Sequence, residues 1–279
     1  MNLAACLLPV LAAAEGGPAP PPALACLARH YAVTPESEGG AWFARLPDGA
    51  RLPFDDGKHK SFEERLSAPD VKDIFAVPYR PGAIRPVEAA DEDPGRVRVL
   101  AILRATYGPH PAPQQVRTRF LGLPVRVHRT IVPALARVAE RLERARRDDP
   151  SLRPFLTRLS GGFAERRIAG TDRLSAHAFG IAIDLDKSKS DYWRWALKWE
   201  PSQGSQTLPR SGSARQSLAP PTRSGWRNRI PQAIVDAFEA EGFIWGGRWY
   251  HYDTMHFEYR PELFGPPCRE PLTADSRSR

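Results

Sequence analysis

Two short segments carry the residue types that metal chemistry needs. One reads Ser175-Ala-His177-Ala-Phe-Gly180-Ile-Ala182-Ile-Asp184, the other Asp253-Thr-Met-His256-Phe-Glu258. Two histidines and one carboxylate can hold a zinc ion and leave a coordination position for water. His177, Asp184 and His256 supply that set. A second carboxylate beside the last ligand, Asp253, can take a proton from the water, whose pKa zinc lowers to roughly 7. A histidine and an aspartate at this separation are common by chance. The full pattern Ser-x-His-x-x-Gly-x-Ala-x-Asp is far more restrictive, and its joint occurrence with Asp-x-x-His points to a metallohydrolase.

These side chains need elements that aim them. Residues 180–186 alternate in polarity and read as a strand, with Gly180 permitting a tight turn after His177. Residues 243–245 and 256–259 read as two more strands, joined through Gly246-Gly247 and an aromatic turn. In the last strand, His256 and Glu258 face opposite to Phe257 and Tyr259. A strand is also expected over residues 155–159, and a turn leading into a short strand over residues 70–79. Residues 93–98 read as a turn followed by a helix through Tyr107. The clearest helix is 131–147, where Val132, Leu135, Val138, Ala139 and Leu142 recur at helical spacing, with Pro133 in the first turn and Asp148-Asp149-Pro150 at the end. A further helix spans 231–241, opened by Pro231 and stopped by Gly242.

Composition narrows the class. Hydrophobic residues make up 42% of 279, enough for a sizeable core. The formal net charge is +8, 40 basic against 32 acidic side chains. Such a surface suits an anionic partner. The arginines are scattered, however, and no nucleic-acid motif accompanies them, so no nucleic-acid partner is expected. Residues 1–14 hold an apolar run ending Ala12-Ala13-Ala14, too short to span a bilayer. It resembles the end of a secretory signal peptide without a positive first region. The expectation is export to the periplasm or cell envelope, with no stable membrane span. Residues 15–22 read as a flexible linker. Residues 202–225 are rich in Ser, Pro, Gln and Arg and nearly free of large apolar residues, which reads as a disordered insertion. The site residues flank it, so one domain closes across it. Removal of a signal would leave Cys26 and Cys268, one near each end, as a possible disulfide.

The two motifs together resemble the VanY-like zinc D-alanyl-D-alanine carboxypeptidases and L-alanyl-D-glutamate peptidases, whose fold is shared with the hedgehog signalling domain. The resemblance spans about residues 70–264 and includes Gly161-Gly-Phe-Ala-Glu-Arg-Arg-Ile-Ala-Gly170, Tyr192-Trp-Arg-Trp195 and Trp245-Gly-Gly-Arg-Trp-Tyr-His-Tyr-Asp253. It implies His177, Asp184 and His256 as ligands of one Zn2+, Asp253 as the general base, and an arginine that stabilises the oxyanion. The pattern Arg-x-Ile-x-Gly puts that arginine at Arg166, with Arg167 pointing elsewhere. Some relatives carry Glu at the position of Asp253. Ser175, Trp249 and Tyr250 are weaker candidates for the cleft, and Glu258 for orienting a ligand or pairing with Arg260. His251 reads as structural or exposed.

The implied fold is α+β, a small antiparallel sheet with flanking helices and one zinc site. The zinc peptidase domain would occupy residues 111–266, residues 23–110 an extension packed on it, and residues 267–279 a tail. The implied activity is a metallopeptidase acting on peptidoglycan stem peptides, foremost as a D-alanyl-D-alanine carboxypeptidase. The alternatives are a stem endopeptidase, such as an L-alanyl-D-glutamate one, and a non-catalytic zinc-containing cell-wall binding module. Oligomeric state is not legible.

Overall fold

Hairpin turns and capped helices organise the first half of the chain. The structure, a computed structural model, describes residues 18–108, 114–168, 171–197 and 225–265. The signal at 1–14, the tail at 267–279 and the insertion at 202–225, except Gly225, lie outside the described residues. Helix α1 (Pro22–His30) has proline at its start and buries Ala23, Leu24, Cys26 and Leu27. It begins within the stretch expected as linker. Cys26 is disulfide-bonded, and both other cysteines, Cys6 and Cys268, lie outside the described residues. Strands β1 (Thr34–Glu38), β2 (Ala41–Arg45) and β3 (Arg51–Pro53) form an antiparallel sheet. The β1–β2 turn is Gly39-Gly40, both at positive φ, the conformation a tight hairpin demands.

Helix α2 (Phe62–Ser67) starts with a reciprocal Ser61/Glu64 capping box. The strand expected within residues 70–79 is instead a 3-10 turn at Lys72–Phe75. Asp70 and Asp73 accept each other's backbone N–H groups at 2.9 and 3.0 Å, and that local bonding closes the turn. Helix α3 (Leu100–Tyr107) follows as expected.

Strands β4 (Gln115–Phe120) and β5 (Leu123–His128) make a second antiparallel pair, turned at Leu121-Gly122. Helix α4 (Val132–Asp148) buries Ala134, Leu135, Val138 and Leu142, as the periodicity requires. The strand expected at 155–159 begins only at its last residue. Asp149 caps a 3-10 turn over Pro150–Phe155, and β6 (Leu159–Gly161) comes after it. Beyond β6 lie β7 (Ala182–Leu185), the short helix α5 (Trp193–Leu197), helix α6 (Gln232–Glu239), β8 (Phe243–Trp245) and β9 (His256–Tyr259).

The central sheet runs β6-β7-β9-β8, antiparallel throughout. Its register sets Asp184 opposite His256 and Ile183 opposite Phe257. Ile183 and Phe257 are fully buried, while α6 lies behind the sheet with Phe238 stacked on Phe257 at 3.9 Å between ring centres. The α+β class and flanking helices agree with expectation. The single small sheet expands to three antiparallel sheets, because the Gly-Gly and Leu-Gly hairpins add two.

Residues of the N-terminal segment share one hydrophobic core with the central sheet. Buried polar bonds also join them. Tyr31 donates to Glu262 at 2.8 Å, Tyr79 to Glu239 at 2.5 Å, and Trp249 Nε1 to the Pro94 carbonyl at 2.8 Å. Among the described residues, no helix is long and apolar enough to cross a membrane.

Candidate metal centre

Local backbone geometry delivers the first histidine. Ser175 caps a 3-10 turn, Ala176–Phe179, by accepting from the His177 N–H. Gly180 ends the turn in the left-handed conformation at φ 72°. A Cβ there would also lie 2.7 Å from the His128 nitrogen, so glycine is required twice over. The chain then enters β7 with every residue buried, and Asp184 emerges beside Gly161. A Cβ on Gly161 would stand 2.8 Å from Asp184 Oδ2. That glycine makes room for the carboxylate.

Register and turn geometry bring the remaining groups to the same point. His177 Nε2 lies 3.1 Å from Asp184 Oδ1 and 3.2 Å from His256 Nδ1, and His256 Nδ1 lies 3.1 Å from Asp184 Oδ1. All three residues are buried and could hold a metal ion. The opposite ring nitrogens show which atoms would bind it. His177 Nδ1 sits 2.6 Å from the Gly162 carbonyl, which can only accept, so Nδ1 carries the proton and Nε2 offers its lone pair. His256 Nε2 sits 3.4 Å from Glu258 Oε2, leaving Nδ1 for the metal side. Glu258 is in turn gripped by Arg98, through Nε at 2.7 Å and a second, shorter contact from Nη2. Arg260 Nη1 adds a contact at 3.4 Å. Glu258 therefore orients His256 and pairs with Arg260, and its main partner is Arg98, unsuspected from sequence. Such outer partners fix ring orientation and tautomer.

The donor set fits a zinc-type ion by its chemistry: two imidazole nitrogens with free lone pairs and one carboxylate. Asp253 adds a second sign of fit. The residue is partly buried, and its Oδ1, which is fully buried, has no hydrogen-bond partner among the described residues. Buried polar atoms are normally satisfied, and this one belongs to the wall of the same cleft. A second acidic set, Asp55, Asp56 and Asp70, already has a cation, because Lys60 Nζ lies 3.0 Å from Asp56, 3.1 Å from Asp70 and 2.8 Å from Asp73.

Electrostatics separate the two carboxylates of the site. Burial favours a neutral Asp184, but the charges and hydrogen bonds of His177 and His256 outweigh it and hold Asp184 far below the usual range. Burial and the nearby Asp184 charge push Asp253 up to about 6. Without a metal, one carboxylate thus stays ionised while the other can exchange a proton near neutrality. Burial works against a charged His256, yet hydrogen bonds to Asp184 and Glu258 raise it to about 9 without a metal.

The cleft around this cluster has a volume of about 270 Å³. Arg166 belongs to its wall, with Nη2 3.7 Å from Asp184 Oδ2 and a half-exposed side chain. Arg167 turns away and donates to the Asp172 carbonyl. Ser175 and Trp249 line the cleft as well, and the Trp249 ring centre is 5.6 Å from that of His256. Tyr250 is absent from this lining; its ring packs on His251 at 5.2 Å. His251, expected as structural or exposed, is buried, bonded to Asp93 at 2.7 Å, and part of the wall. Arg96, Arg98, Tyr192, Trp193 and Trp195 also line it, with Ile168 and Met255. The Tyr192-Trp-Arg-Trp195 motif was a signal for three of these; the two arginines, far away in sequence, had none.

Residues 169–259 match the family model described as D-alanyl-D-alanine carboxypeptidase. The match contains His177, Asp184, Asp253 and His256 and supports a metallopeptidase with a peptidoglycan-derived substrate. No curated protein and no solved structure matches the chain.

Proposed function

We propose that this chain is a zinc-dependent peptidase that hydrolyses peptide bonds in the peptidoglycan stem peptide, as a D-alanyl-D-alanine carboxypeptidase. One observation carries the reading. The lone-pair nitrogens of His177 and His256 converge with Asp184, while the unpartnered oxygen of Asp253 lies in the wall of the same cleft.

His177 through Nε2, His256 through Nδ1 and Asp184 through a carboxylate oxygen would hold the zinc. The ion supplies Lewis acidity, which lowers the pKa of water and polarises a carbonyl. Asp253 accepts a proton as the water oxygen bonds to the scissile carbonyl carbon. It returns that proton to the nitrogen as the C–N bond breaks, releasing carboxylate and amine. Burial and the Asp184 charge, which raise its pKa in the metal-free site, favour proton uptake. Arg166, at the cleft wall, donates to the carbonyl oxygen as negative charge gathers there; removing one such donor costs on the order of 10²–10³ in rate. Trp193 and Trp249 supply apolar surface to the cleft wall. A bare binding module would have no use for Asp253 or Arg166.

A catalytic unit over residues 111–266 and an exported, cell-envelope location belong to the same reading. They rest on the span of the motifs, the apolar run before residue 15 and the +8 charge. The unit's cleft is completed by Arg96 and Arg98 from the preceding segment. Digestion of purified stem peptides, with products identified by mass spectrometry, tests the reaction. Loss of a terminal D-alanine is the expected result. Cleavage between L-alanine and D-glutamate would assign a stem endopeptidase, and intact peptides with a metal-loaded protein would overturn catalysis.

A further inference from the structure

A second pocket, of about 190 Å³, adjoins the metal cleft and shares Arg96 and Arg98 with it. Its walls are Leu66, Pro69, Val99, Leu100 and Leu174, and its polar side is built by Ser67 and three arginines, Arg96, Arg98 and Arg173. Two of these guanidiniums are held rigidly. Arg96 Nη1 is 2.6 Å from Asp93 Oδ2, and Arg98 grips Glu258; their side chains are only 11% and 8% exposed. Arg173 differs. Among the described residues its guanidinium has no hydrogen bond and no ion pair, and Glu63 and Asp93 act on it only through space. Partial burial comes first, and repulsion from Arg96 and Arg98 second, in lowering its pKa to about 10. It stays charged at any physiological pH.

The local charge does not balance. Asp93 is already shared by Arg96 and His251, and Glu258 by Arg98, Arg260 and His256. Among the described residues no carboxylate contacts Arg173: the exposed Glu63 acts on it only through space. Holding three guanidiniums together in a half-buried pocket is costly unless an anion joins them. The apolar walls leave space for a small hydrocarbon substituent, not for a polyanion.

We propose that Arg173, with Arg96 and Arg98, forms a subsite that binds a carboxylate on a short apolar substituent, and so selects substrates with a free carboxylate next to the metal cleft. The inference deepens the peptidase reading, since a stem peptide offers both a terminal and a side-chain carboxylate.

Titration of the metal-loaded full chain by NMR tests it with three probes. N-acetyl-D-alanine has a terminal carboxylate, N-acetyl-D-alaninamide has none, and N-acetyl-D-glutamic acid 1-amide has one on its side chain. At least one acid should bind about tenfold more tightly than the neutral amide. Arg173→Gln should abolish that difference, and Arg173→Lys should keep part of it. Tighter binding of the first probe assigns the terminal carboxylate, and of the third the side-chain one. Equal binding of acids and amide to the native chain, or an unchanged preference in Arg173→Gln, overturns the subsite. The stem-peptide digestion is read separately. A carboxylate preference without any cleavage defeats the peptidase reading alone, whereas cleavage without the preference defeats the subsite alone.

Discussion

Asp253 lines the cleft, His177 lies buried beside Asp184, and substitution should separate the two roles proposed for them. Asp253→Asn preserves shape but cannot accept a proton, so turnover should fall by roughly 10²–10⁴ with bound metal retained, as read by stem-peptide hydrolysis and elemental analysis of one preparation. His177→Ala removes a proposed ligand, so metal content itself should drop; unchanged metal would contradict that role. Glu258 acts one step further out. It accepts from His256 and is anchored by Arg98, so Glu258→Gln should weaken metal affinity by about 10–100-fold in a chelator competition. The metal-free site also makes a pH prediction. The folded-state pKa of His256 is raised above its ordinary 6.5 to about 9. The stabilisation this gives the metal-free protein is complete below the ordinary value and vanishes as pH rises through about 9. Metal must displace that proton. Uptake at neutral pH should therefore release protons in a weakly buffered indicator solution, and affinity should climb toward pH 9.

At the scale of elements, the central sheet turns sequence periodicity into convergence. Alternation in β7 and β9 puts Asp184 and His256 side by side on one face and Ile183 and Phe257 on the other. Phe238 of α6 covers that apolar face and also touches Phe120 and Phe243. Phe238→Ala would open a cavity directly behind the strands that carry Asp184 and His256. A loss of about 3–5 kcal/mol is expected, measurable by denaturant unfolding, with a small change in metal content if the sheet relaxes locally. The strands bearing ligands were legible in sequence because alternation and a local glycine turn define them. The 3-10 turns at Lys72–Phe75 and Pro150–Phe155 were not, because local bonds from backbone N–H groups to Asp70, Asp73 and Asp149 override apolar patterns that also suit strands. Hairpin β4–β5 had a readable signal, alternating residues around Leu121-Gly122.

Across the whole molecule, residues far apart in sequence secure the site. The three proposed ligands and Asp253 sit in compact motifs, so their possible chemistry could be read directly. Arg98 with Glu258, and Asp93 with His251, are pairs separated by 160 and 158 positions. Only the shared core places them together, and no local spacing announces them. These buried pairs also tie the N-terminal segment to the sheet, which gives acid a specific point of attack. Burial would raise the pKa of Asp93, but the Arg96 charge and the His251 hydrogen bond outweigh it and lower the value below the ordinary 3.8. A carboxylate with a depressed folded-state pKa stabilises above its unfolded pKa, and that contribution disappears as pH falls through the folded one. Asp93→Asn should therefore lower the melting temperature most near about pH 6, and the gap to the native chain should shrink below about pH 4. Calorimetry across that range decides the matter: a gap that stays constant down to about pH 3 would mean that Asp93 contributes shape and hydrogen bonding but no charge.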